Sequence, residues 1–163
     1  MTNNIKVAVI GAGMMGKNHI KTYKTLQGVE LVGVYDIFPE AAKAAADMFG
    51  IKAFASMEDV AKEVDAVSVV TTSVTHADVG EFFLNKGIHC LMEKPLATTE
   101  EGCQRLINAA KNNNVTLLVG HIEQFNPAVE LSYLTPDEQQ SFLDYAEAQD
   151  CTPSLSQAQK LKA

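Results

Sequence analysis

The 163-residue chain has no apolar run long enough to cross a bilayer; its longest, VAVIGAG (7–13) and AVSVV (66–70), fall far short of a span. It has no excess of basic residues either: 13 lysines and arginines face 20 carboxylates, for a formal net charge of −7. Such a balance repels nucleic-acid phosphates, so neither nucleic acid nor membrane is an expected partner. The N-terminus, MTNNIKVAVIGAG, lacks the basic segment, apolar segment and small-residue cleavage site of a secretory leader, and the expected compartment is the cytoplasm. Cysteine is scarce. Cys90, Cys103 and Cys151 are odd in number and widely spaced, and Cys90 sits in an apolar run, which favours a buried thiol over a disulfide. His89 beside Cys90 does not make a metal site, because neighbours on a strand point to opposite faces; no metal is expected. Repeats and extended low-complexity segments are also absent.

What the chain does have is alternation. Five β-branched runs, KVAVI (6–10), ELVGVYD (30–36), DAVSVV (65–70), GIHCLME (87–93) and VTLLVG (115–120), read as strands buried on both faces, with IKAFA (51–55) a weaker sixth. Between them KNHIKTYKTL, PEAAKAAADMFG, SMEDVAKE, HADVGEFFLNKG and TTEEGCQRLINAAKNNN space apolar residues by three or four. Ser56 with Asp59, and Thr98 with Glu101, carry helix-capping spacing; Pro39 suits a first turn, and Gly50 and Gly87 suit helix ends. Strand–helix alternation of this kind predicts an α/β fold, a doubly wound parallel Rossmann sheet of about six strands. Beyond Pro127 no strand candidate recurs. LTPDEQQSFLDYAEAQD and PSLSQAQKLKA read as two helices broken at CTP (151–153), and the tail as a whole sets six carboxylates against two lysines. The expected division is a Rossmann domain over 1–127 and a helical tail over 128–163.

GAGMMG (11–16) is G-x-G-x-x-G placed after a strand and before a helix. There Gly11 permits the turn, Gly13 lets a pyrophosphate approach the backbone, and Gly16 brings the helix close to the sheet. The unpaired first N–H groups of that helix and its dipole favour an anion. Asp36 ends the second strand twenty residues on, where a carboxylate accepts from both ribose hydroxyls of an adenosine. It would repel a 2′-phosphate, and Ile37 and Phe38 supply no arginine, so NAD is favoured over NADP. The alternatives are a turn that merely connects strand to helix, or one that binds another nucleotide such as FAD.

GAGMMGKNH, VVTTSVTHADV, MEKPLATT and VGHIEQFNPAV, in that order over residues 5 to about 128, resemble the glucose–fructose oxidoreductase/inositol dehydrogenase/MocA family. The wording around FNPAV looks most like the branch that oxidises UDP-N-acetylglucosamine or related nucleotide sugars. The resemblance implies that Gly11, Gly13, Met14, Met15 and Gly16 surround the dinucleotide phosphates and that Asp36 takes the ribose. It implies that Thr71, Thr72, Ser73 and His76 line the cofactor cleft, although many relatives have proline where Thr72 stands. Glu93 and Lys94 would lie beside the nicotinamide, with a cis peptide before Pro95. Lys94 is the residue expected to act on the substrate hydroxyl, against the alternative of a solvated surface lysine. His121 would face the cleft, or equally serve as a satisfied hydrogen-bonding residue, and His19 is expected to be structural.

Members of that family carry a second, substrate-binding domain, which is expected to be absent here. A sugar substrate would then be taken only if such a domain were supplied, with little activity from the chain alone. The tail's ELSYL…EQQ…TPSLSQAQKLK pattern resembles a helical segment of ParB-like proteins, implying a fusion near Ala128. Leu131, Leu134, Phe142, Leu143 and Tyr145 would either pack on the Rossmann domain or pair two chains into a homodimer. Three readings follow: the cofactor domain of an NAD-dependent sugar dehydrogenase, a non-catalytic dinucleotide-binding or interaction module, or a remnant that folds and binds nothing.

Overall fold

The computed structural model describes residues 4–122; the tail readings, including the fusion point and the pairing face, lie outside the described residues. The elements run β1 (Ile5–Ile10), α1 (Met14–Tyr23), β2 (Val29–Tyr35), α2 (Pro39–Phe49), β3 (Lys52–Ala53), α3 (Met57–Ala61), β4 (Ala66–Val69), α4 (His76–Leu84), β5 (His89–Met92), α5 (Glu100–Asn112) and β6 (Leu117–Val119). The six strands form one parallel sheet in the order β3-β2-β1-β4-β5-β6. The strand order reverses between β1 and β4, the topological switch point at which open α/β sheets bind their ligands. The weak strand over 51–55 is real but only two residues long, pairing Lys52 with Gly33 and Ala53 with Val34.

Apolar side chains leave both faces of the sheet, and each face has its own core. Ala8, Ile10, Val67, Val69, Cys90 and Met92 pack with Phe83, Leu84 and Leu106 of α4 and α5. Val9 and Val34 pack on the other face with Ile20 of α1 and Ala45 and Ala46 of α2. Alternation along β1 divides Ala8 and Ile10 from Val9, as the strand's period of two requires. Arg105 of α5 reaches Asp78 and Glu81, which fastens α4 to α5 at the surface.

Local signals place most of the ends. Ser56 Oγ accepts from the Asp59 N–H at 3.1 Å and donates to its carboxylate at 2.8 Å, the capping expected there. Gly50 ends α2 at φ 65°, a conformation a residue without Cβ adopts at no steric cost. Two expectations shift. The cap of α5 is Thr99, not Thr98: its hydroxyl accepts from the Gly102 N–H at 3.0 Å, so the capping pair sits one residue later. Helix α1 begins at Met14 and ends at Tyr23, so the last glycine of the fingerprint lies inside the helix rather than before it.

Cys90 and His89 point apart as expected: Cys90 is buried against α4, while His89 is exposed and accepts from the Thr116 N–H at 2.9 Å. Burial pushes the Cys90 thiol from its ordinary 9.0 up to about 12. Native protein at pH 8 should therefore leave Cys90 unalkylated by iodoacetamide while half-buried Cys103 reacts. Peptide mapping by mass spectrometry should find Cys90 modified only after unfolding. Because the folded thiol titrates above the unfolded one, its contribution to stability is full below pH 9.0 and is lost as pH rises towards about 12.

Candidate functional site at the carboxyl edge of the sheet

The strands end flush. Tyr35, Ile10, Val69, Met92 and Val119 are successive register partners across β2, β1, β4, β5 and β6. The residues that follow therefore leave the sheet along one line: Asp36, Gly11, Val70, Glu93 and Gly120. Backbone bonds carry the ladder one step further, from Gly11 N–H to Tyr35, Val70 N–H to Ile10, Glu93 N–H to Val69 and Gly120 N–H to Met92, all at 2.7–2.9 Å. Asp36 and Glu93 stand three strands apart, about 14 Å at the usual spacing of roughly 4.8 Å.

The glycines of the turn have three different jobs. Gly11 sits at φ 108°, and a Cβ there would come within 2.5 Å of the Val70 carbonyl oxygen. At Gly16 a Cβ would overlap the Gly11 carbonyl, so α1 can lie against the turn only because residue 16 has none. Gly13 is the reverse case: it is exposed, and nothing lies within 4 Å of where its Cβ would be. It is also the N-cap of α1 without a side chain to accept from the first-turn N–H groups. Met14 and Met15 occupy that turn with exposed side chains. An unfilled space before an uncapped helix N-terminus fits an anionic group.

Asp36 is doubly engaged. One carboxylate oxygen accepts from the Ala12 N–H at 2.7 Å and the other from the Phe38 N–H at 2.9 Å, so it holds the glycine turn as well as its own loop. Each oxygen keeps a further lone-pair site. Exposed Ile37 and Phe38 flank it. Beyond β4, Thr71 and Ser73 are half-buried and Thr72 is exposed. The Thr75 hydroxyl lies 2.8 Å from the Thr72 carbonyl and 2.9 Å from Thr71 Oγ1, which folds this loop into a single 3₁₀ turn over Ser73–Thr75.

His76 departs from expectation. It is 1% exposed, with Nδ1 2.7 Å from the Pro95 carbonyl and Nε2 3.2 Å from the Thr71 carbonyl. Rather than lining the cleft, its ring fastens the loop after β4 to the loop after β5, because α4 starts at His76 and turns it beneath the edge. Glu93 and Lys94 also part company. Glu93 is buried, 3.0 Å from His19 Nε2, and accepts from the Lys94 N–H at 3.2 Å, whereas Lys94 is exposed. The Lys94–Pro95 peptide is cis. His121 follows β6 at the same edge and is exposed.

Sequence reasoning overlooked Ser68 and Tyr23. Ser68 is fully buried, with Tyr23 Oη 2.6 Å and His19 Nδ1 3.3 Å from its hydroxyl. A serine in the otherwise apolar run AVSVV was the available signal, since a buried hydroxyl needs partners. Among the described residues no group of three or more His, Cys, Asp or Glu is placed to hold a metal ion. An open cavity of about 460 Å³ lies between α5 and β6, lined by Ile107, Ala110, Lys111, Asn114, Val115 and Leu117. It sits at the amino end of β6, away from the edge that gathers the residues above.

Residues 5–121 match the family model described as an oxidoreductase family with an NAD-binding Rossmann fold. The chain belongs to the Gfo/Idh/MocA oxidoreductase family. Its sequence is 36% identical over 127 residues to UDP-N-acetylglucosamine 3-dehydrogenase of Acidithiobacillus ferrooxidans, covering 78% of this chain and 40% of that enzyme. The solved structure of that enzyme superposes with a TM-score of 0.74 over 77% of this chain and 41% of the other. The WlbA dehydrogenase of Bordetella pertussis, solved with NADH and UDP-GlcNAcA, is 30% identical with a TM-score of 0.73, over 77% and 37%. Inositol 2-dehydrogenase of Klebsiella pneumoniae is 40% identical over 111 residues, covering 65% of this chain and 33% of that enzyme. The chain thus spans well under half the length of the relatives it matches, and what it shares with them is the NAD-binding domain of sugar and nucleotide-sugar dehydrogenases. The resemblance of its last residues to ParB-like proteins has no counterpart in these matches.

The contrast between Gly16 and Gly13 is directly testable by thermal and urea unfolding. Gly16→Ala should lower stability by about 1–3 kcal/mol, because backbone must move to admit the methyl. Gly13→Ala, whose new methyl meets only open space, should change it by less than about 1 kcal/mol.

Proposed function

We propose that residues 4–122 bind NAD along the carboxyl edge and present it for oxidation of a sugar or nucleotide-sugar hydroxyl. The observation that carries this reading is the flush edge, which places Asp36, the glycine turn, the Thr71–Ser73 loop and Lys94 in one row across the switch point. The backbone around Gly11, Gly13 and Gly16, with Met14 and Met15 in the first turn of α1, would hold the pyrophosphate. Asp36, with one lone-pair site left on each oxygen, would take the adenosine ribose and disfavour a 2′-phosphate. Thr71, Thr72 and Ser73 would line the middle of the cleft. His76 contributes from behind, by fixing the two loops that frame it.

When bound, NAD supplies the hydride acceptor. Lys94, exposed beside buried Glu93, would hold the substrate hydroxyl oxygen and ease loss of its proton. His121, exposed at the same edge after β6, is a second group within the row. The names of the A. ferrooxidans and B. pertussis relatives support a nucleotide sugar as the substrate class, and that of the K. pneumoniae enzyme supports a cyclitol. Because the chain spans only part of such enzymes, turnover is expected only when the remainder of the substrate site is supplied.

Calorimetric titration with NAD, NADH and NADP tests the reading. Binding of NAD or NADH at least about tenfold tighter than NADP is expected, and no binding of any dinucleotide would overturn it. Asp36→Arg should weaken NAD and reverse the preference towards NADP. Unchanged affinities for both would remove Asp36 from the ribose site.

A further inference from the structure

One side-chain chain in the domain is used neither by the phosphate turn nor by the ribose site. Tyr23 Oη, Ser68 Oγ, His19 and Glu93 lie in sequence at 2.6, 3.3 and 3.0 Å, running from α1 through β4 to the end of β5. A carboxylate only accepts, so His19 Nε2–H donates to Glu93 Oε1. His19 Nδ1 then accepts from the Ser68 hydroxyl, whose oxygen accepts from the Tyr23 O–H. In this one direction every donor along the chain meets an acceptor. The order Ser–His–Glu resembles a nucleophilic triad, but Ser68 has no exposed surface, so no substrate atom can reach it. The chain can act only through what its ends hold.

Its attachments to α1 and to the end of β5 are informative. His19 lies on the helix whose uncapped N-terminus faces the space before Gly13, and Glu93 accepts from the N–H of Lys94. We propose that His19 is a positioning residue. Through Glu93 it ties the phosphate-facing helix to the backbone of Lys94, so that the two halves of the dinucleotide site are set as one unit. This rests on the dinucleotide reading above and adds to it a link between pyrophosphate binding and the placement of the reactive lysine.

The link is tested by comparing NADH with ADP-ribose, which keeps the adenosine, both phosphates and a ribose but lacks the nicotinamide. Calorimetry on the parent, His19→Ala and His19→Gln chains should show His19→Ala binding NADH about tenfold more weakly while ADP-ribose changes by less than about threefold. His19→Gln, which keeps an N–H donor towards Glu93, should restore NADH affinity to within about threefold of the parent. Glu93→Gln sets an amide donor against either the His19 or the Lys94 N–H, and should reproduce the split from the other side even where His19→Ala does not fold. Equal losses on both ligands would mean that His19 only supports α1, and would overturn the inference while leaving dinucleotide binding intact. So would no change on either ligand, or failure of the glutamine rescue. A parent that binds neither ligand overturns both readings.

Discussion

Everything at the carboxyl edge depends on how closely α1 approaches the end of β1. The chain must leave the sheet after Ile10, turn within three residues and start a helix that packs back on Val9 and Val34. It has room for this only because residue 16 has no Cβ to strike the Gly11 carbonyl and residue 11 has none to strike that of Val70. Asp36 completes the arrangement from the neighbouring strand by accepting from the Ala12 N–H. The same carboxylate thus closes the turn internally while each of its oxygens keeps a further lone-pair site. A bound nucleotide would meet a turn already held in shape, and little ordering entropy would be left to lose on binding.

The two faces of the sheet are not equivalent. Towards α4 and α5 the layer is apolar throughout, with Val67, Val69, Cys90 and Met92 against Phe83, Leu84 and Leu106. Towards α1 the corresponding positions of β4 and the end of β5 are Ser68 and Glu93, met by His19 and Tyr23. Burying Ser68 and Glu93, with His19 and Tyr23 half-buried beside them, is costly unless each is paired, and here each is: no buried side-chain nitrogen or oxygen among the described residues is left without a partner. Apolar replacements would fill the same space with less to satisfy. What they would lose is direction, since a hydrogen-bonded chain fixes the rotation of its members as packed methyl groups do not.

The order and type of the elements were legible because buried parallel strands and amphipathic helices write different periods, and because Gly and Pro mark the ends. Strand limits were read one or two residues too long where apolar residues continue past the ladder, as in DAVSVV, whose pairing stops at Val69. The close approach at Gly11 and Gly16 was legible because its sterics are local. His76 was not: in sequence it follows the cleft loop directly, and only the start of α4 turns its ring inward to meet Pro95, nineteen residues away. Ser68 and Tyr23 were missed for a related reason. Their partners are 45 or more residues distant, and a lone hydroxyl in a strand says that a partner exists without saying which.

The pair Glu93–Lys94 shows how one strand can serve two environments. At the end of an extended segment successive side chains point to opposite sides, so consecutive residues are delivered to unlike surroundings without any special turn. The first goes inward, where His19 and the Lys94 N–H satisfy it. The second goes outward, where its ammonium stays solvated. Exchanging the two residue types would put an ammonium beside the His19 N–H and leave a carboxylate at the mouth. An ionised carboxylate has no proton to donate, so the exchanged mouth would offer acceptors only. The order glutamate then lysine therefore follows from the sheet's geometry together with the sign of charge that each side of the edge can hold.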